Sequence, residues 1–391
     1  MSKSTISLCV ICALVWASAV TLGIHTSLMG VMVLSLALSV LLTRFSRDHA
    51  AKLGQLDNPG ERKIHSVPIP VTGGIAIFAS FAITSLVLSC QIKSTTPTFY
   101  SFVGFTTVTE GYIDSKAFIA LLATVAGMHI MGLIDDRKGL GPYVKLLVQV
   151  ALATALILAT DIHVLKHLGT VPSFALTLLW FIVITNAFNF LDNMNGLSAG
   201  VATICCSILM FTAIANGTPD TPLLCGCLIG SMLGFLVYNY PKATIFMGDG
   251  GSLVIGFVIA YLSITVTYYN PDASESASAS LRNWHSVFTP LIILAIPLYD
   301  LTSVTIIRLA QGKSPFVGDT QHFSHRLVRR GLSRPIAVAV IWACTLATGL
   351  GGIILGHLER WQASLVIIQT VAILFVLLLL ERTPNHPDSE L

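Results

Sequence analysis

The chain has 391 residues, of which 54% are hydrophobic and only 10% are Asp, Glu, Lys or Arg, against roughly a quarter charged in soluble domains. That composition excludes a soluble enzyme, and at about 20 residues per crossing it fills about ten to twelve membrane spans and little else. A net charge of +3, dispersed along the chain, offers no nucleic-acid surface.

Apolar segments fall in chain order at about 6–22, 27–43, 71–90, 116–134, 143–160, 174–190, 198–215, 222–240, 251–269, 285–308, 335–355 and 362–380. The expected fold is therefore all-α, a single polytopic membrane domain over 1–391 with 11 or 12 transmembrane helices. The count turns on whether the first two segments, parted only by the stretch His25 to Ser27, are one broken element. The first segment has no small-residue cleavage site before a soluble domain and is read as retained. The eight cysteines lie in or beside apolar runs without paired C-x2-C and His partners, so neither zinc nor disulfides organise the chain; Cys9 and Cys12 read as packing.

Orientation follows from Lys and Arg. The connections at 44–70, 135–145, 191–197, 241–250 and 308–334 hold fifteen of them, and the opposite connections five. The first set is therefore cytoplasmic. The external segments 91–115 and 270–284, rich in Ser, Thr and Ala, carry no pattern for a folded domain.

Chemistry-bearing side chains gather in the same five connections. Asp57-Asn-Pro59-Gly-Glu-Arg62-Lys63-Ile-His65, with Gly73-Gly74 beyond it, is by composition a basic anchor loop. Asp135-Asp136 closes the fourth segment; adjacent helical side chains diverge by about 100°, so the pair suits two roles rather than one shared role. An acidic pair there also opposes the helix dipole. Asn186, Asn189 and Asn193, if the helix continues through them, share one face with Asp192 beside it, and such oxygens suit a hard cation or a nucleotide. Gly248-Asp249-Gly250-Gly251-Ser252 is a glycine-rich turn before a helix, whose free N–H groups would attract phosphate and whose Asp adds a second cation ligand. His322 and His325, spaced i, i+3 beside Arg326, Arg329 and Arg330, suit an anion better than zinc, which needs more ligands.

Taken in this order, the five stretches resemble the polyprenyl-phosphate N-acetylhexosamine-1-phosphate transferases, the glycosyltransferase family 4 membrane enzymes. The family pattern runs from Asp-x-Pro-x-x-Arg-Lys-x-His and Gly-Gly, through Asp-Asp, Asn-x-x-Asn-x-x-Asp and Phe-Met-Gly-Asp-x-Gly-Ser, to a histidine-rich loop; the chain matches over about 57–330. It departs from that pattern at Asn193 (usually Gly), Asn195 (usually acidic) and Ser324 (usually His). The family-like core is about 44–334, and the segment 6–22 is an extra span. The short late loop resembles the bacterial N-acetylglucosamine-type branch.

The resemblance implies transfer of a sugar-1-phosphate from a UDP-N-acetylhexosamine to polyprenyl phosphate, with release of UMP, at the cytoplasmic face of the inner membrane. By carry-over, Asp192 and Asp249 hold Mg²⁺, with Mn²⁺ as a substitute. Asp135 orients or deprotonates the lipid phosphate, supported by Asp136. Lys63 and Lys145 meet phosphate. His65, Asn186, Asn189, His322, His325 and Arg326 complete the substrate-binding set. The implied partners are the lipid, the UDP-sugar and the membrane, with a homodimer left open. The rival readings are a secondary transporter coupling through the intramembrane Asp300 and His129, and a lipid-binding scaffold without turnover.

Overall fold

The computed structural model describes residues 28–52, 54–57, 68–91, 98–102, 105–109, 115–218, 220–268, 284–314 and 321–382. The segment 6–22, Cys9, Cys12, Lys63 and His65 lie outside the described residues. Thirteen α-helices follow in order: α1 Leu28–His49, α2 Gly73–Gln91, α3 Ser115–Lys138, α4 Pro142–Thr160, α5 Thr170–Leu191, α6 Leu197–Ala215, α7 Thr221–Asn239, α8 Asp249–Tyr268, α9 Thr289–Ile293, α10 Ala295–Ala310, α11 Phe323–Arg329, α12 Arg334–Gly349 and α13 Arg360–Arg382. Among the described residues nine helices are long and apolar enough to cross a bilayer, or ten if the pair bent by 71° between α9 and α10 is one span. The apolar stretch Gly73–Ser89 of α2 is shorter, and with it the eleven expected segments from 27–43 onward all appear as helix.

Two antiparallel strand pairs join this all-α bundle: β1 Leu56–Asp57 with β2 Ile69–Pro70, and β3 Thr98–Phe102 with β4 Phe105–Thr109. The second is a two-stranded hairpin within the segment 91–115. Its aromatic and β-branched residues, Phe99, Tyr100, Phe102, Phe105 and Val108, are the residue types that favour strands.

Helices α6, α7 and α8 are almost wholly buried, whereas α4 and α13 expose most of their length. The exposed side chains of α13 include Leu365, Ile368, Val371, Phe375 and Leu379, a surface that suits lipid tails. Tight packing inside comes from small residues, because apolar burial gives no drive between helices already in hydrocarbon. Along the α1–α7 crossing, Ser35 and Ser39, one turn apart, donate their hydroxyls to the carbonyls of Cys227 and Ser231 at 2.6 Å each. Gly230 lies between them, and a Cβ there would stand 2.4 Å from the Met32 carbonyl oxygen. Backbone contact of this kind fixes the register of the helices that carry the polar ends.

Candidate functional site

The site begins at the turn into α8. Phe246 donates its N–H to the Pro70 carbonyl at 2.7 Å, and Gly73 and Gly74 donate to the carbonyls of Phe246 and Met247 at 2.9 Å each, so the Pro70–Gly74 stretch and the turn run as a short ladder. Gly248 then takes φ +71°, a left-handed conformation that favours glycine. The first N–H groups of α8 go to α3: Asp249 N–H donates to Asp136 Oδ1 at 2.9 Å and Gly250 N–H to Asp136 Oδ2 at 3.1 Å. The expectation that these N–H groups wait for phosphate is therefore corrected. Asp136 caps the helix from a neighbouring element and satisfies orphan donors, and both its oxygens are spent in fixing where Asp249 stands. Its cap works at contact distance, since a Cβ at Gly132 of α3 would lie 2.5 Å from the Asp249 carbonyl oxygen.

From that anchored turn the Asp249 carboxylate meets two other helices. Its Oδ2 accepts from Lys145 Nζ of α4 at 2.9 Å, and its Oδ1 accepts from Asn189 Nδ2 of α5 at 2.9 Å. Asn189 also donates to Ser252 Oγ at 3.0 Å. Lys145 pairs in addition with Asp135 Oδ2, whose Oδ1 accepts the Leu140 N–H at 2.6 Å. The two adjacent acids of α3 thus diverge, Asp135 toward Lys145 and Asp136 toward α8, as helical geometry requires. One turn behind Lys145 and Asn189, Asn186 Nδ2 donates to Gln149 Oε1 at 2.7 Å, which locks α4 to α5.

Helix α5 ends at Leu191 with Asp192 as its C-cap, so Asn193 is past the helix and does not share the face of Asn186 and Asn189. Asn193 instead donates to the Phe190 carbonyl at 2.7 Å and accepts from Ser324 Oγ at 2.7 Å. The side chain at the family's missing histidine therefore ties the histidine loop to the end of α5. Burial pushes Asp192 up to about 8, with the negative charges of Asp249 and Asp136 adding to the effect. Four carboxylates, Asp135, Asp136, Asp192 and Asp249, share this corner with the ammonium of Lys145. The all-oxygen donor set, Asp192, Asp249 and the Asn189 carboxamide, fits a hard divalent cation, whose charge would favour the ionised form of Asp192. Among the described residues no three acids, His or Cys form a ready-made coordinating group.

The histidine loop meets the end of α5 at Phe190 and Asn193. Asp300 of α10, wholly buried, pairs its Oδ2 with His322 Nδ1 at 2.8 Å and accepts the Phe323 N–H on Oδ1 at 2.9 Å. This fixes the ring, whose edge meets Phe190 at 5.6 Å between centroids; the guanidinium of Arg308 stacks over the same Phe190 at 5.2 Å. The His325 ring lies 6.5 Å from that of His322. Burial holds His325 below its ordinary value, helped by His322, Arg329 and Arg334. Arg326 is not left open for phosphate as expected: its nitrogens donate to Glu381, Ser303 Oγ and the Gln321 carbonyl.

Asp135, Lys145, Asn189 and Asp249 are thus in direct contact, Asp136 and Asn186 brace them, and Asp192, His322 and His325 flank the same end of α5. Sequence reasoning missed Gln149, the contacts of Ser252 with Asn189 and of Ser324 with Asn193, and the bracing roles of Asp300 and His129. Gln149 was findable, being four residues past Lys145 and hence on its face; Asp300 was visible only as an isolated acid in a span. His129 Nδ1 bonds the Gly250 carbonyl at 2.7 Å and its ring stacks on Phe78 at 4.5 Å. The two groups on which the rival transporter reading rests, Asp300 and His129, are both engaged in hydrogen bonds around this site.

Residues 118–267 match the model of glycosyl transferase family 4. A probable undecaprenyl-phosphate N-acetylglucosaminyl 1-phosphate transferase of Bacillus subtilis (strain 168) is 32% identical over 363 residues, 90% of each chain. The decaprenyl-phosphate N-acetylglucosaminephosphotransferase of Mycobacterium tuberculosis (strain H37Rv) is 30% identical over 77% of this chain and 76% of its own. An undecaprenyl-phosphate alpha-N-acetylglucosaminyl 1-phosphate transferase of Yersinia pestis is 26% identical over 78% of both. With its carboxylate corner built on the family's motifs and these relatives matching most of its length, the chain belongs to glycosyl transferase family 4, in the N-acetylglucosamine-type branch of the polyprenyl-phosphate N-acetylhexosamine-1-phosphate transferases.

Proposed function

We propose that the protein transfers N-acetylglucosamine-1-phosphate from its UDP derivative to a polyprenyl phosphate at the cytoplasmic face of the inner membrane, in a Mg²⁺-dependent single displacement. The observation that carries this reading is Lys145 held between Asp135 and Asp249 where α3, α4, α5 and α8 meet. The lipid phosphate is largely ionised near pH 7, its second pKa being about 6, so a strong base is unnecessary. An oxygen of that phosphate forms a bond to the sugar-bearing phosphorus of the diphosphate while the bond to UMP breaks. The barrier is set by bringing one anion onto another, so neutralisation and in-line positioning dominate.

Asp192 and Asp249 hold the cation, which neutralises the diphosphate when bound. Lys145 spends two of its three N–H donors on the carboxylates and turns the third to phosphate. Asp135, held by Lys145 and the Leu140 N–H, orients the lipid phosphate. Asn189 fixes Asp249 against α5, and His322 and His325 engage the nucleotide side. The excess of Lys and Arg on this face, fifteen against five, supports the cytoplasmic placement, where nucleotide sugars are made.

Purified protein incubated with polyprenyl phosphate, Mg²⁺ and a panel of UDP-N-acetylhexosamines tests the reading. UMP and a lipid-diphosphate product should appear with UDP-N-acetylglucosamine. Absence of UMP with every donor in the panel would overturn it.

A further inference from the structure

The last span reaches the histidine loop. α13 lies beyond both the matched region 118–267 and the ordered run of motifs. Its Glu381 is only 9% exposed, and its Oε2 accepts from three donors on two other elements: Arg326 Nε at 3.0 Å, the Arg326 terminal nitrogen at 2.8 Å and the Tyr299 hydroxyl at 3.1 Å. Arg330, the C-cap of α11 one turn beyond Arg326, donates to the main-chain carbonyl of Glu381 at 2.7 Å, a last-turn carbonyl that lacks an intrahelical partner. Two arginines spaced i, i+4 therefore clasp one helix end, one by its side chain and one by its backbone.

Helix α11 has seven residues, Phe323–Arg329, with His322 as its N-cap. A helix of that length does not hold its own shape in isolation, so its orientation comes from outside. Asp300 holds its beginning through His322 and the Phe323 N–H. Its far half is held by the Arg326 and Arg330 contacts with Glu381, and Arg326 adds Ser303 Oγ of α10 at 2.9 Å. His325 sits between these two attachments, next in sequence to Arg326.

We propose that Glu381 is a positioning residue of the transferase: through Arg326 and Arg330, the end of the last span sets the orientation of α11 and hence of His322 and His325 toward the nucleotide sugar. This rests on the functional reading above. A side chain that touches no substrate can act this strongly because a displacement of about 1 Å in a catalytic group costs on the order of 100-fold in rate.

Steady-state kinetics of Glu381→Ala, Glu381→Gln, Arg326→Glu and the charge swap Arg326→Glu/Glu381→Arg test the proposal, with each substrate varied in turn. Ile368→Ala, at a lipid-facing position of the same helix, is the control. Glu381→Ala should lower kcat/KM for the UDP-sugar by on the order of 100-fold and change the KM for the lipid by less than about threefold. Glu381→Gln keeps an oxygen for Arg326 and should lose about threefold to tenfold. The swap should recover at least about tenfold over Arg326→Glu alone.

Native kinetics in a folded Glu381→Ala protein would overturn the proposal. So would an equal loss for both substrates that the swap does not relieve, which would make Glu381 a general brace. Should Glu381→Ala fail to fold, Glu381→Gln and the swap decide by the same criteria. Should the unaltered protein release no UMP, the functional reading fails separately; the melting-temperature rise caused by UDP then reads the clasp, its loss in Glu381→Gln supporting it and its full retention overturning it.

Discussion

Lys145 sits between Asp135 and Asp249, so its removal leaves two carboxylates facing one another across a partly buried corner. Lys145→Ala should therefore slow UMP release by on the order of 100-fold, the scale of losing one preorganised electrostatic contact. Lys145→Arg keeps the charge in a planar fork that does not reproduce an ammonium's compact geometry and should fall between the two. A Lys145→Ala protein with native turnover would remove Lys145 from the reacting site. His325 offers a second residue-scale test through pH. Its folded value lies below the ordinary 6.5, so in that window the unfolded chain binds a proton that the fold does not. Stability contributed by this group is complete above pH 6.5 and declines as pH falls through the window. His325→Gln should thus flatten the acid side of the melting temperature against pH profile in detergent; an unchanged slope would contradict the assignment.

Among elements, the turn into α8 is the most constrained. Gly248 has φ +71°, and a Cβ there would stand 2.6 Å from Asp136 Oδ2, so Gly248→Ala meets both backbone strain and the capping carboxylate. It should cost about 1–3 kcal/mol, read as a lowered melting temperature, and an unaltered melting temperature would show that the cap is not needed. The helices themselves were legible in the sequence because apolar runs of spanning length admit few alternatives. What local pattern could not show was where polar groups point after a helix ends. Asn193 looked like a continuation of the Asn186–Asn189 face until the C-cap at Asp192 broke the period, and the α8 N–H groups looked free because Asp136 lies 113 residues away in sequence. Arg326 misled for a similar reason: beside two histidines it resembles a phosphate ligand, and only the packing of α13 reveals Glu381.

For the whole molecule, the ordered motifs were the legible part, since Asp135, Lys145, Asn189 and Asp249 converge where four helices end. Their shared face makes a topological prediction. In a cysteine-free background, Lys138→Cys and Ser314→Cys should resist a membrane-impermeant thiol reagent in intact cells and react after permeabilisation. His167→Cys and Glu359→Cys, at the opposite helix ends, should react in intact cells. Labelling of residue 138 from outside would break the assignment of the catalytic face.

The most direct measurement is the rate of UMP release by the purified protein and by Asp249→Asn, followed from excess chelator through millimolar Mg²⁺. The account predicts that the unaltered protein is silent in chelator and regains turnover with Mg²⁺, while Asp249→Asn stays folded and at least about 100-fold slower at every Mg²⁺ concentration. Full turnover in excess chelator, or an Asp249→Asn protein working at the native rate, would contradict it.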